Sequence, residues 1–122
     1  MTNNMTNQNL ISASSLNGKD VQNAKGDNLG NVKEIMLDIE NNHIVYYVLS
    51  FGGLFGLGDK LFAIPPEAMK LCSESDHFIL DIDKERLKEA EGFDKDNWPN
   101  MSDPTFRGNL YKHYGISDRF TA

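Results

Sequence analysis

The sequence has one cysteine, few basic residues and no long apolar run, and each shortage excludes a class of protein. Cys72 alone cannot form an intramolecular disulfide, which excludes the disulfide-dense frameworks of small secreted domains and predicts a reducing, cytoplasmic location. No stretch approaches the roughly 20 apolar residues that span a bilayer. The opening MTNNMTNQNLISASSLNG lacks the basic and apolar regions of a signal peptide. We therefore expect neither a membrane span nor a secretion signal.

Basic residues are outnumbered by acidic ones. Lysine and arginine total 12 against 18 aspartates and glutamates, which gives a net charge of −6. Proteins that bind nucleic acid or anionic membranes neutralise phosphates with clustered cations, and no window of this chain gathers cations in that way. We expect no direct contact with nucleic acid, whereas a protein partner stays open.

The length of 122 residues is sufficient for one domain with its own core. Residues 1–9 are nearly all Asn, Thr and Gln and predict a disordered leader. Residues 10–98 predict a β domain that includes a short helix near 84–91, and residues 99–122 predict a C-terminal arm.

Short alternating or apolar segments predict the strands of that domain. In NVKEIMLDIE we expect Ile35, Leu37 and Ile39 on the inner face, with a bulge near Lys33 that brings Val32 onto the same face. IVYYVLSF is apolar on both faces, which predicts a strand covered on both sides at the centre of the fold. KLFAIP predicts a strand that is stopped by its prolines, and HFILDI predicts the last one. About five strands with short turns predict a small, mostly antiparallel β-barrel.

Helical signals follow the strands. DKERLKEAEGF begins with Asp83, a good N-cap, and stops at Gly92. EAMKL, earlier in the chain, predicts either one helical turn or a bent strand. FRGNLYKHYG carries a weak helical stripe that Gly108 is expected to interrupt. The predicted fold is thus a β-barrel with a short helix and an arm.

The glycine-rich stretch SFGGLFGLGDKLFAIPPE resembles a phosphate-binding loop only in part. Gly53 and Gly58 have the spacing of such a loop, but Asp59 precedes Lys60, and Leu61 replaces the hydroxyl residue that would bind magnesium. A carboxylate at that position repels phosphate. The stretch therefore predicts a wide reversal between two strands and no nucleotide cofactor.

Apolar side chains in this reversal suggest an interaction surface. Leu54, Phe55 and Leu57 are expected either to fold back over one end of the barrel or to enter a partner subunit. Symmetric self-association into a dimer is the simplest partner hypothesis. Trp98, in a polar segment, either covers a barrel edge or anchors a partner. These four residues form the predicted interaction surface.

No motif predicts catalysis or metal binding. The three histidines, which are His43, His77 and His113, are not paired at ligand spacing. DIDKE begins like a calcium loop, but the glycine and glutamate of such a loop are missing, so helix capping explains its acids. Cys72 has no obvious activating base in the sequence. We predict no catalytic, cofactor or metal residues and a protein that is not an enzyme.

The order of these motifs resembles the PRC-barrel family. The resemblance rests on GKDV, GDNLGNVKE, DIENNHIVYYVLSFGG, GLGDKLFAIP and FILDI, and it covers about Leu16 to Trp98. Related barrels occur in the H subunit of photosynthetic reaction centres and in a ribosome-maturation factor; GFDKDNWP and the late YG are similar to stand-alone members. The resemblance implies a non-catalytic protein-interaction module. It leaves two alternatives: an accessory factor in RNA or ribosome processing that acts through a basic protein partner, and a barrel that binds a small ligand.

Overall fold

The computed structural model describes residues 10–52, 60–72 and 76–117 and has a mostly β architecture. Its strands are β1 Asp20–Gln22, β2 Asn28–Asp38, β3 His43–Phe51, β4 Lys60–Ile64, β5 Met69–Cys72 and β6 His77–Leu80. Two α-helices follow, α1 Lys84–Lys88 and α2 Pro104–His113. The predicted leader (1–9) and the apolar residues of the glycine-rich reversal lie outside the described residues.

The six strands form one curled sheet in the order β4-β3-β2-β1-β6-β5. All neighbouring strands are antiparallel except β1 and β6, which pair in parallel through Val21 with Phe78 and Gln22 with Ile79. The predicted mostly antiparallel β fold is confirmed. The EAMKL region contains both predicted alternatives, because a 3₁₀ turn at Pro66–Ala68 leads into β5.

Two apolar clusters cover opposite faces of β3 and β4. The inner cluster draws on all six strands, together with Leu16 and Leu87, and lies in the interior of the curl. The outer cluster lies between β3, β4 and α2; its buried members are Tyr46, Val48, Leu61, Ala63, Phe93, Leu110 and Tyr111. Tyr46, Tyr47, Val48 and Leu49 of β3 alternate between the outer and inner clusters, which confirms that this strand is covered on both sides.

The predicted alternation of β2 is only partly correct. The register shifts between Val32 and Glu34, which confirms the bulge near Lys33, and Val32 and Ile35 both contact the inner cluster. A second shift follows between Met36 and Leu37. Because the shift breaks the alternation, the expectation of Leu37 on the inner face is wrong: Leu37 and also Ile39 are exposed.

The C-terminal arm contains a continuous helix. Asp103 caps α2 by accepting a hydrogen bond from the Thr105 amide at 3.0 Å, and Pro104 occupies the first turn. The expected interruption at Gly108 is wrong: a Cβ there would meet no atom within 4 Å, and the helix runs through it. Leu110 and Tyr111 attach α2 to the outer cluster of the same chain.

Candidate interaction surface

The end of the β2–β3 hairpin is the most exposed apolar feature of the described surface. We call residues 37–45 the hairpin tip. Leu37 is 59% exposed and Ile39 is 87% exposed. Asp38 pairs with His43 at the last rung of the hairpin, and the turn lies between them. Exposure of a large apolar side chain to water is unfavourable, so two such side chains at one hairpin end indicate a contact surface.

Hydrogen bonds from the turn hold the hairpin tip in shape. The Asp38 carboxylate accepts bonds from the amides of Glu40 at 3.0 Å and Asn41 at 3.2 Å, and from the Asn41 side chain at 2.8 Å. Asn42 adopts a φ of 60°, a left-handed conformation that asparagine tolerates well. The bond from the Asn41 side chain, followed by that from its amide, lowers the pKa of Asp38. Asp38 is therefore a fixed negative charge beside the exposed apolar residues.

An open groove of about 800 Å³ lies between the hairpin tip and the start of the arm. We call it the tip groove. Its lining residues are Met36, Leu37, Asp38, Ile39, Glu40, Val45, Tyr46, Met101, Ser102 and Arg107. The volume lies within the range of about 300–1,000 Å³ that is typical of binding pockets. The groove is thus large enough to accept several side chains of a partner.

Contacts from β3 to the arm fix the floor of the tip groove. The Tyr46 hydroxyl donates a hydrogen bond to the Met101 carbonyl at 3.3 Å. The Tyr46 ring meets the Phe106 ring edge-on, with centroids 6.1 Å apart and planes at 72°. Arg107 lies over the ring of Tyr111, with its guanidinium carbon 5.5 Å from the ring centroid. Because the buried Tyr46 contacts both Met101 and Phe106 of the arm, the two walls are held together and the groove is preformed.

The charges around the tip groove are mainly negative. Residues 34–52 include Glu34, Asp38 and Glu40 but no lysine or arginine. Arg107 is the one basic residue that lines the groove, on the wall formed by the arm. The surface therefore combines exposed apolar side chains with an acidic rim, which favours uncharged or basic occupants.

Trp98 covers the edge of the sheet at β4. Phe93 exchanges two backbone hydrogen bonds with Leu61, at 2.8 and 2.9 Å, and so closes part of this edge. The Trp98 ring packs on Phe93 with centroids 5.1 Å apart and planes at 59°. A Cβ at Gly92 would lie 2.7 Å from the Lys60 side chain, which shows how closely the chain crosses β4. Trp98 is still 38% exposed, so part of its ring stays open to contact.

Only one of the four predicted interaction residues lies within the described residues. Leu54, Phe55 and Leu57 lie outside the described residues, and Trp98 lies on the β4 edge. Sequence reasoning missed Leu37 and Ile39 because it treated them as core. The one local signal was their position beside the polar turn ENNH, where a strand can project past its covering layers.

A second group of polar side chains attaches the arm to the rest of the fold. The Tyr111 hydroxyl donates to Glu67 at 3.0 Å, and Arg86 donates to the His113 carbonyl at 3.1 Å. Burial, assisted by Glu67, raises the pKa of Tyr111 to about 12, and burial also raises the pKa of Tyr114. Because their pKa values are raised, Tyr111 and Tyr114 stay neutral at neutral pH, and the arrangement is that of a packing contact.

Neither a cluster of metal ligands nor a membrane-spanning helix occurs within the described residues. Within residues 10–52, 60–72 and 76–117, no three of the His, Cys, Asp and Glu side chains lie together as metal ligands would. No helix in the same ranges is long and apolar enough to cross a membrane.

Comparison with protein families gives one match. The model of the PRC-barrel domain matches residues 8–87, about two thirds of the chain. The match includes all six strands and α1 up to Leu87. The search against curated proteins found no match.

Proposed function

The chain belongs to the PRC-barrel domain family, and from this membership we propose that it is a non-catalytic protein-interaction module that associates with itself. The observation that carries the proposal is the hairpin tip, where Leu37 and Ile39 are 59% and 87% exposed. Such side chains beside a preformed groove are suited to a protein contact. A cytoplasmic location is part of the proposal and rests on the cysteine usage alone.

The glycine-rich reversal supplies the second part of the proposed surface. Leu54, Phe55 and Leu57 are three large apolar residues within a connection that otherwise consists of glycine and one aspartate. Trp98 contributes the open part of its ring. Aromatic and large aliphatic residues are the usual anchors at the centre of protein interfaces. A dimer is the simplest assembly that they would form.

The solution mass, measured by light scattering over a dilution series, tests the proposal. We expect a mass above that of the monomer which falls on dilution. The double variant Leu54→Asp/Leu57→Asp should lower the mass and retain the circular dichroism of the wild type. Leu10→Asp is the matched control, because Leu10 is an exposed leucine, 58% accessible, outside the proposed surface. A wild type that is monomeric at every concentration would reject self-association.

A second candidate function is an accessory role in RNA or ribosome processing through a basic protein partner. The net charge of −6 and the acidic rim of the tip groove favour it. Direct contact of this chain with RNA is not part of the proposal. If the partner is a basic protein, retention on ribosomes should survive nuclease treatment and should weaken as the salt concentration rises, because salt screens the attraction between opposite charges. Free migration at every salt concentration would reject this role.

A further inference from the structure

The tip groove and the glycine-rich reversal belong to opposite ends of the same strand. The hairpin turn leads into β3 at His43, and residues 53–59 follow β3 after Gly52. Tyr46 is the groove residue of β3 nearest to Gly52 along the chain. The six positions between them correspond to about 20 Å, at the rise of about 3.3 Å per residue of a strand.

The reversal cannot reach the groove of its own chain. It contains seven residues between two anchors, Gly52 and Lys60. Half of such a connection extends at most about 12 Å, at the maximum of about 3.5 Å per residue. This reach is shorter than the distance along β3 from Gly52 to Tyr46, so the groove of another copy is the one that we take to be accessible.

Charge distinguishes the occupants that a second copy could offer. Contact between two hairpin tips would bring Asp38 and Glu40 of one copy against the same residues of the other, and Asp38 keeps its charge because of its hydrogen bonds. Residues 53–58, GLFGLG, carry no charge, and the acidic Asp59 that ends the reversal is followed directly by the basic Lys60. An uncharged apolar segment enters an acidic-rimmed groove without like-charge repulsion.

We propose that the glycine-rich reversal of one copy docks in the tip groove of a second copy, so that the chains associate head to tail. This proposal rests on the proposed self-association and names its two surfaces. The leucines and Phe55 contact the apolar walls formed by Met36, Val45 and Met101, and Ile39 covers them from the hairpin tip. A head-to-tail contact leaves one groove and one reversal free at the ends, so the assembly does not stop at the simple dimer but continues into an open chain or closes into a ring.

Two complementary variants test the inference. The reversal variant is Leu54→Asp/Leu57→Asp, and the groove variant is Leu37→Asp/Ile39→Asp. The groove variant changes only exposed side chains, so the fold should tolerate it. We expect each variant alone to be monomeric and well folded by circular dichroism and thermal melting, with Leu10→Asp assembling like the wild type.

The decisive sample is an equimolar mixture of the two variants. The intact reversal of the groove variant then meets the intact groove of the reversal variant. The other reversal and the other groove in this complex are both mutated. The mixture should form a complex of twice the monomer mass that grows no further as concentration rises. Recovery of assembly from two monomeric variants is expected only of a contact between two different surfaces.

Other results would overturn the inference in distinguishable ways. If the groove variant keeps the wild-type mass while the reversal variant dissociates, self-association stands, but the reversals contact each other and the groove serves another occupant. If both variants are monomeric and the mixture stays monomeric, one symmetric interface uses both surfaces. If the wild type itself is monomeric, the proposed self-association fails and this inference fails with it.

Discussion

The two halves of the β2–β3 hairpin have similar apolar compositions and opposite environments. At the base, Tyr47 and Leu49 of β3 enter the inner cluster, and Tyr46 and Val48 enter the outer cluster. At the hairpin tip, the apolar side chains of β2 are exposed. The base has a packed layer on each face, whereas Leu37 and Ile39 at the tip belong to neither cluster. Composition makes a residue suitable for burial, but the neighbouring layers decide whether it is buried.

The largest expected difference between base and tip is at residues with positive φ. Gly30 has a φ of 108°, and a Cβ there would lie 2.0 Å from the Ser50 carbonyl oxygen. Gly30→Ala should therefore lower the free energy of unfolding by about 4 kcal/mol or prevent folding. Asn42→Gly, at the turn, should change it by less than about 0.5 kcal/mol. Chemical denaturation measures both, and a mild effect of Gly30→Ala would mean that the strands can separate at the base.

The next largest difference in the free energy of unfolding is expected between alanine substitutions of two leucines, one on β3 and one on β2. Leu49 is fully buried in the inner cluster, and Leu37 is mainly exposed. Leu49→Ala should cost about 3 kcal/mol, from lost burial and the cavity that remains. Leu37→Ala should cost less than about 0.5 kcal/mol in the monomer. Equal losses in urea titrations would contradict the difference between the two halves.

Tyr111, through which α2 packs on the base, predicts a loss of stability at alkaline pH. The pKa of Tyr111 is near 10.0 when unfolded and about 12 when folded. The folded state therefore binds more protons between these values, so this stabilisation is complete below pH 10 and decreases as pH rises towards 12. Tyr111→Phe removes the bond to Glu67, costs about 1 kcal/mol at neutral pH and should flatten the alkaline decrease. Parallel pH profiles for variant and wild type would exclude Tyr111 as a source of the decrease.

The smallest effect concerns the hairpin tip alone. Asn41→Ala removes the hydrogen bond that contributes most to the low pKa of Asp38. The pKa should rise towards its ordinary value of 3.8, because the main stabilisation of the carboxylate is lost. An NMR titration of the Asp38 side chain measures the change, and no change would mean that the backbone amides alone hold the carboxylate.

Local signals explain which features could be predicted from the sequence. β3 is apolar on both faces, the prolines after Ile64 stop β4, and Asp83 marks the start of α1; each signal lies within the element that it defines. The segment SDPT contains Asp103, the N-cap of α2, and Pro104, in its first turn. These two residues are a local signal for the start of a helix, and they favoured a continuous helix despite Gly108.

The missed features depend on distant parts of the chain. The parallel pairing of β1 with β6 joins residues 57 positions apart, such as Val21 and Phe78, and no local pattern encodes it. Tyr111 is buried because it packs in the outer cluster with residues of β3 and β4, and its hydroxyl bonds to Glu67, 44 positions away. The exposure of Leu37 follows from a register shift against β3, which depends on pairing across the hairpin and not on the alternation within β2.

The parallel pairing of β1 with β6 also orders events in time. β2, β3 and β4 pair with strands next to them in sequence. β1 also pairs with β6, so the second side of β1 stays unpaired until the chain has been made as far as Leu80. Contacts between distant residues close slowly, so we expect the three-strand meander to gain protection first. Pulsed hydrogen exchange during refolding should show Val48 protected before Val21; the reverse order would contradict this sequence of events. During synthesis, the same delay leaves the first strand half-paired while the rest of the sheet is being made.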